Sequence, residues 1–329
     1  MDEGSERGRK SRQLPKKERI RAMQETFQFQ PEVAEALAEK RAIVALESTV
    51  ITHGLPYPQN VETAVAMETA VREGGAIPAT LAIIQGHIHI GLNADQIEYL
   101  GQRAGQAVRK CSRRDLPLAL ARGEDGATTV AGTMILAHLT GIEIFATGGI
   151  GGVHRGHPFD ISADLSEFGR TPVAVVSSGA KSILDLPATR EVLETHGVPV
   201  LGYGVDEMPA FFSRRSGLLV DVRLDTPEEA AAIIAAHRRL GLQSGLLFAV
   251  PIPEADACDP DEMEAAVAQA TREADEAGIH GPAATPWLLS RVVQLTDGQS
   301  MRANMALLRH NGRVAGQIAV ALARLNQAT

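Results

Sequence analysis

The sequence predicts an α/β fold: a three-layer α/β/α sandwich around a largely parallel mixed sheet, with a helical C-terminal section. Three observations lead there. Short apolar runs rich in β-branched residues alternate with segments of helical periodicity. The chain has 329 residues, 44% of them apolar, enough for one extensive core. Aromatics make up only 4%, so that core must be built from Ala, Val, Leu and Ile. No internal repeat and no evident interdomain linker divides the chain.

The elements follow in order. Residues 1–21 are polar and locally basic, with Arg7, Arg9, Lys10, Arg12, Lys16, Lys17, Arg19 and Arg21. A flexible charged tail is expected over 1–29, and a single folded domain over 30–329. Residues 30–40 read as a short helix and 42–50 (AIVALESTV) as a buried strand. Residues 60–73 have helical spacing, with Val61, Ala64, Val65, Met67 and Val71 as the apolar face. Residues 80–90 read as strand, turn and strand around Gly86; 94–101 and 128–140 read as helices. Residues 142–147 form a strand that runs into a glycine-rich turn, and 172–177 a strand before Lys181. Helix 187–196, strand 199–202, strand 218–223, helix 227–240 and strand 244–250 continue the alternation. Pro251-Ile252-Pro253 is a rigid break. Three helices, 260–277, 285–295 and 299–325, close the chain.

Composition narrows the function. The net charge of −8 argues against nucleic-acid binding as the main activity, although a local site can still hold an anionic small molecule. The basic tail offers a nucleic-acid or membrane tether as its alternative reading, with no support elsewhere in the chain. Two cysteines, Cys111 and Cys258, form no CxxC pair, which leads us to expect a reducing, cytoplasmic compartment. No apolar run reaches the roughly 18 residues of a membrane span. The charged N-terminus does not resemble a secretory signal.

The stretch 145–185 holds most of the chemistry. Gly148-Gly149-Ile150-Gly151-Gly152 follows an apolar run and offers approachable backbone amides. It is not GxxxxGK[ST], so a P-loop reading fails. Asp160 and Asp164, in DISAD, are spaced to share one face of a helical turn. Hard carboxylate oxygens without thiolates suit Mg²⁺ or Mn²⁺. The alternative is an N-capping Asp160 with a solvated Asp164. Lys181 follows the small-residue turn Ser177-Ser178-Gly179-Ala180, which is expected to open a helix. At a helix N-terminus the ammonium is disfavoured, and partial burial adds to this, so Lys181 reads as a nucleophilic amine able to form an imine. The alternative is a surface lysine in a first helical turn.

Upstream, Glu47 lies within AIVALESTV, where a carboxylate must be buried, paired or functional. Desolvation would raise its pKa and make it a proton donor. An Arg or Lys partner at the strand end is the alternative. His53 belongs to the stiff loop that follows, and Asn60 is expected to cap the next helix. Lys110, with Arg109, Arg113 and Arg114, forms a cationic group in an acidic chain. It is either a solvated face or a phosphate site.

These motifs are spread along the chain: ALESTVITHGLPYPQN, PATLAII, KCSRRDLP, GATTVAGTM, FATGGIGGVHRG, FDISADL, SSGAKSILDLPATREVLE, VPVLGY, PIPE and TPWLLSRVVQLTDGQSMRANMALLRHN. Together they resemble the pseudouridine-5′-phosphate glycosidases, also described as the indigoidine synthase A-like family, from about residue 31 to 325. The resemblance implies reversible cleavage of the C–C glycosidic bond of pseudouridine 5′-phosphate to uracil and ribose 5-phosphate. It implies Glu47 as proton donor and Lys181 as covalent nucleophile. It implies Lys110, Val130, Ser162, Ala163 and Asp164 as substrate contacts, and Asp160 as ligand to one Mn²⁺, or Mg²⁺ or another divalent ion. Thr147, His154 and Asn304 join the pocket on the same basis. An α/β/α sandwich and a homotrimer are implied too. The chain departs from the family pattern in the tight His157-Pro158 connection, in Cys111 beside Lys110, and in its charged tail.

These groups suit the reaction. A C-glycoside lacks the heteroatom leaving group that ordinary glycosidases protonate. An imine between Lys181 and C1′ of the opened ribose supplies an electron sink. Glu47 can protonate the ring oxygen or the departing base. Two other readings stay open: a sugar-phosphate-binding protein without turnover, and an imine-forming aldolase.

Overall fold

The order of the strands follows from their burial. In this computed structural model, which describes residues 26–106 and 108–328, the strands are β1 (Phe27–Phe29), β2 (Ile43–Leu46), β3 (Ile77–Ile84), β4 (His87–Ile90), β5 (Arg109–Cys111), β6 (Gly126–Thr128) and β7 (Ile144–Ala146). They continue as β8 (Val153–His154), β9 (His157–Ile161), β10 (Ala174–Ser177), β11 (Leu184–Asp185), β12 (Val200–Tyr203), β13 (Val222–Leu224) and β14 (Leu246–Ala249). The main sheet runs β1-β4-β3-β2-β7-β10-β14-β12-β13, with β6 on β3 and β5 on β6. The central strands β2, β7, β10 and β14 are buried at every position and pair in parallel. Continuous apolar runs of this kind require cover on both faces. Within this main sheet, antiparallel pairing among the described residues is confined to β3, with β4 and β6.

The helices are α1 (Pro31–Ala38), α2 (Thr49–Thr52), α3 (Gln59–Glu73), α4 (Ala94–Gly101), α5 (Leu116–Arg122) and α6 (Val130–Thr140). After them come α7 (Ala163–Phe168), α8 (Leu186–Thr195), α9 (Pro227–Arg239), α10 (Pro260–Glu276), α11 (Ala284–Leu295) and α12 (Gln299–Gln327). The long α12 packs on α3 and α9 and on strands β2, β7 and β10. Its small residues allow this: Gly316 and Gly74 approach so closely that a Cβ on Gly316 would lie 2.9 Å from the Gly74 Cα. Helix α6, buried over Val130–Ala137, packs against β2 and β7.

The chain leaves β2 toward β3 on one side, and leaves β7 toward β10 on the other. The carboxyl ends of β2 and β7 therefore flank a topological switch point, the usual place for a ligand in such a sheet. A small three-stranded sheet, β11-β8-β9, stands beside it.

Four expectations change. The strand read over 42–50 ends at Leu46, because Ser48 and the following residues turn into α2. Asn60 does not cap α3: Pro58 takes that position, and buried Asn60 donates through Nδ2 to the Ile51 and Gly101 carbonyls at 2.6 and 3.0 Å. The tail boundary at 29 falls inside ordered structure, since β1 pairs in parallel with β4. The basic residues from Arg7 to Arg21 lie outside the described residues. Finally, no helix begins at Lys181; the chain turns there into β11, and α8 starts at Leu186.

Candidate active site

The carboxyl ends of β2, β7 and β10 open into a pocket of about 1080 Å³. Glu47, next after β2, is buried, and its two oxygens accept from the Thr49 and Thr147 hydroxyls. Thr147 follows β7, so two adjacent strands set this contact. Burial pushes the Glu47 carboxyl above its ordinary value, against the opposing pull of Lys181, Thr147 and Lys110. Among the described residues no Arg or Lys forms an ion pair with it, which disposes of the simple paired-glutamate reading.

Lys181 enters from the turn after β10. Its backbone amide donates to the Ile150 carbonyl at 3.1 Å, and its Nζ donates to the Gly149 carbonyl at 2.9 Å. This contact sets the direction of the side chain, which lines the pocket with Glu47 and Lys110. The helix-dipole argument for this lysine does not apply, because the following residues are a turn and a strand. Gly179 makes the turn possible: its φ is +75°, and a Cβ there would meet the Pro209 carbonyl at 2.5 Å.

Arg155 fixes the other side of that turn. Its guanidinium donates to the Leu184 carbonyl at 3.1 Å and the Ser182 carbonyl at 2.9 Å, while Glu264 holds it from outside.

Lys110, on β5, lines the same pocket, and burial lowers its pKa, aided by the positive charge of Lys181. Two of the arginines beside it are engaged elsewhere. Arg109 pairs with Glu124 at 2.6 Å, and Arg113 grips buried Glu167 with two bonds of 2.8 and 2.6 Å. Arg114 is exposed, lies 3.8 Å from Asp115, and lines the pocket together with Lys110. Burial also drives the Cys111 thiol up to about 12, so it packs rather than reacts.

DISAD is not one helical turn. Asp160 belongs to β9, Ser162 caps α7, and Asp164 lies within α7. The N-cap role suggested for Asp160 thus goes to Ser162, whose Oγ accepts from the Asp164 amide at 3.2 Å. Asp164 is buried rather than solvated. Its oxygens accept from the Ala131 and Gly151 amides, both at 2.9 Å, tying the start of α6 to the glycine turn. Gly151 is required because a Cβ there would sit 2.2 Å from the Ser162 Oγ. Val130, Ser162 and Ala163 line the pocket with these residues, as do Thr147, His154 and Asn304. His53 lines it too, and burial lowers its pKa to about 4.

Asp160 faces the pocket, with its Oδ2 accepting from the Gly281 amide at 3.3 Å. Its Oδ1 has no hydrogen bond among the described residues. One free carboxylate oxygen suits a hard divalent ion that keeps most of its water, and the donor set therefore fits Mn²⁺ or Mg²⁺.

Sequence reasoning missed Thr49 and Asn311. Thr49 stands two residues after Glu47, a spacing that could have marked it. Asn311, fully buried on α12, donates through Nδ2 to the Thr147 carbonyl at 2.9 Å and the Gly148 carbonyl at 3.3 Å. The signal was an Asn-Gly pair inside a helix-length apolar stripe.

Known proteins resemble the chain in sequence and in fold. A family model described as indigoidine synthase A like protein matches residues 32–321. The chain belongs to that family. It is 54% identical over 299 residues to pseudouridine-5′-phosphate glycosidase 2 of Rhizobium johnstonii, covering 90% of this chain and 96% of that one. It is 56% identical over 294 residues to pseudouridine-5′-phosphate glycosidase of Herpetosiphon aurantiacus, covering 89% and 96%. Among solved structures, the prealnumycin C-glycosynthase AlnA, in complex with ribulose 5-phosphate, superposes with a TM-score of 0.84 at 42% identity, covering 92% and 99%. An indigoidine synthase A-like protein of Thermotoga maritima gives 0.82 at 36%, covering 91% and 97%. The α/β fold with a largely parallel sheet is thus the fold of the family.

Proposed function

We propose that this chain is a pseudouridine-5′-phosphate glycosidase, reversibly converting pseudouridine 5′-phosphate and water to uracil and ribose 5-phosphate. The observation that carries the reading is the meeting of Glu47, Lys110, Asp164 and Lys181 in one pocket at the strand ends. Relatives more than half identical over nearly their whole length bear that name.

The ribose opens by breakage of C1′–O4′ as O4′ takes a proton and the base's ring electrons form a C1′=C5 double bond, and Lys181 Nζ then adds to C1′. The C1′–C5 bond then breaks, C5 of the base takes a proton, and C1′ remains as an imine on Lys181. Water releases ribose 5-phosphate and restores the amine. Glu47 is the proton donor. Its buried surroundings raise its pKa and so favour the protonated form a donor needs. Lys110 opposes the substrate's negative charge, and Val130, Ser162 and Ala163 shape the wall against which the substrate is oriented. Asp164 contacts substrate at the edge of the strut it makes with Gly151.

Asp160 would hold Mn²⁺ or another divalent ion. When bound, the ion would supply Lewis acidity and organise water and substrate oxygens. A homotrimer is the assembly this reading carries, and Phe159 on β9, 97% exposed, gives apolar surface for contact between copies. The two free cysteines fit a cytoplasmic setting.

Incubation with pseudouridine 5′-phosphate and Mn²⁺, followed by detection of uracil, tests the function. Release is expected. Binding without release would instead support a sugar-phosphate-binding protein. Ribose 5-phosphate cleavage without any action on the nucleotide would support an aldolase.

A further inference from the structure

Beside the pocket, three side chains that the proposed reaction does not use converge from three segments. His157 comes from β9, Asp275 from the last turn of α10, and His280 from the loop that follows. One ligand atom from each lies within 4.8 Å of the other two. His157 Nε2 and Asp275 Oδ1 are 3.1 Å apart, and the two imidazole rings stand 5.0 Å apart at 62°. Among the described residues no other three His, Cys, Asp or Glu side chains come this close.

We propose that His157, Asp275 and His280 form a transition-metal site, with Zn²⁺ as the ion of matching chemistry. The two imidazoles are borderline ligands that, with one carboxylate, favour zinc over the hard ions suited to Asp160. Tetrahedral zinc, with bonds of about 2.0–2.1 Å, sets its ligand atoms about 3.4 Å apart. Small rotations of exposed side chains bring this group to that spacing, and water completes the fourth position. The site also accounts for the tight His157-Pro158 connection, which places an imidazole where β9 turns back.

The location gives the ion a consequence. Gly281, next to His280, donates its amide to Asp160 Oδ2 at 3.3 Å, and Asp160 shares β9 with His157. Both Gly281 and Asp160 line the pocket. An ion at this site fastens the α10–α11 connection to β9 and so fixes the Asp160 carboxylate from outside.

The test is titration of the chelator-treated full chain with ZnCl₂ alone, read by calorimetry. One tight zinc per chain is expected, weakened by more than about tenfold in His157→Ala and in His280→Ala. Asp160→Asn is expected to keep it. Circular dichroism checks that each variant is folded. Zinc is also expected to slow amide hydrogen exchange at Gly281 in the wild type and not in His280→Ala. Wild-type zinc affinity in His280→Ala, or loss of the zinc in Asp160→Asn alone, would overturn the proposal.

Discussion

The Nζ of Lys181 donates to the carbonyl of Gly149 at 2.9 Å, joining the turn after β10 to the glycine turn after β7. The two turns are also linked through backbone, since the Ile150 amide donates to the Gly179 carbonyl at 3.0 Å. The glycine-rich segment therefore serves as the seat of the lysine. Its glycines make close contacts with protein, and Gly148, Gly149 and Gly151 also line the pocket.

The Lys181 turn depends on Gly179. With φ at +75° and the Pro209 carbonyl facing the missing Cβ, Gly179→Ala meets both backbone strain and a clash. The left-handed conformation alone costs about 1–2 kcal/mol. Thermal unfolding is expected to show a loss of at least that size, with uracil release falling more steeply than the folded fraction.

Arg155 is a positioning residue for the same turn. Arg155→Lys keeps a charge but loses the planar fork that reaches the Ser182 and Leu184 carbonyls together. Steady-state kinetics should show kcat reduced with KM little changed. A raised KM with kcat unchanged would place Arg155 in substrate binding instead.

Glu47 gives a pH signature with a definite sign. Its folded pKa is raised above 4.5 by burial, so the folded state holds the proton more tightly than the unfolded chain does. Its contribution to stability is complete below the unfolded pKa and is lost as pH rises through the folded pKa. Glu47→Gln lacks that loss. Urea unfolding should find the variant close to wild type in acid and relatively more stable on the alkaline side, while uracil release is abolished. The wild-type rate should decline through the same raised pKa as the donor loses its proton.

Asn311 supports the site from beneath. Asn311→Ala leaves the buried Thr147 and Gly148 carbonyls without that donor, a cost of about 1–3 kcal/mol. Chemical denaturation measures it. Activity should fall as well, because Thr147 also donates to Glu47.

Local pattern carried the order of strands and helices, since each central strand is a short, wholly apolar run between helical periods. It also singled out Glu47, the carboxylate at the carboxyl end of such a run. What it misjudged depends on distant pairing. The turn SSGA reads locally as a helix start, but Leu184 and Asp185 pair with Val153 and His154, and that long-range partner draws the chain into a strand. The four-residue spacing of Asp160 and Asp164 imitates a helix, yet Ser162 captures the Asp164 amide and sets the boundary between them. Phe27–Phe29 looked like the end of a polar tail because only β4, far along the sequence, gives it a partner.

The central claim is that Lys181 forms a covalent imine with the sugar. Treating the enzyme with borohydride during turnover of pseudouridine 5′-phosphate, followed by peptide mass spectrometry, tests it most directly. The account predicts a reduced ribose-phosphate adduct on the peptide bearing Lys181, absent from Lys181→Ala, which should also release almost no uracil. Uracil release by Lys181→Ala at the wild-type rate would contradict it.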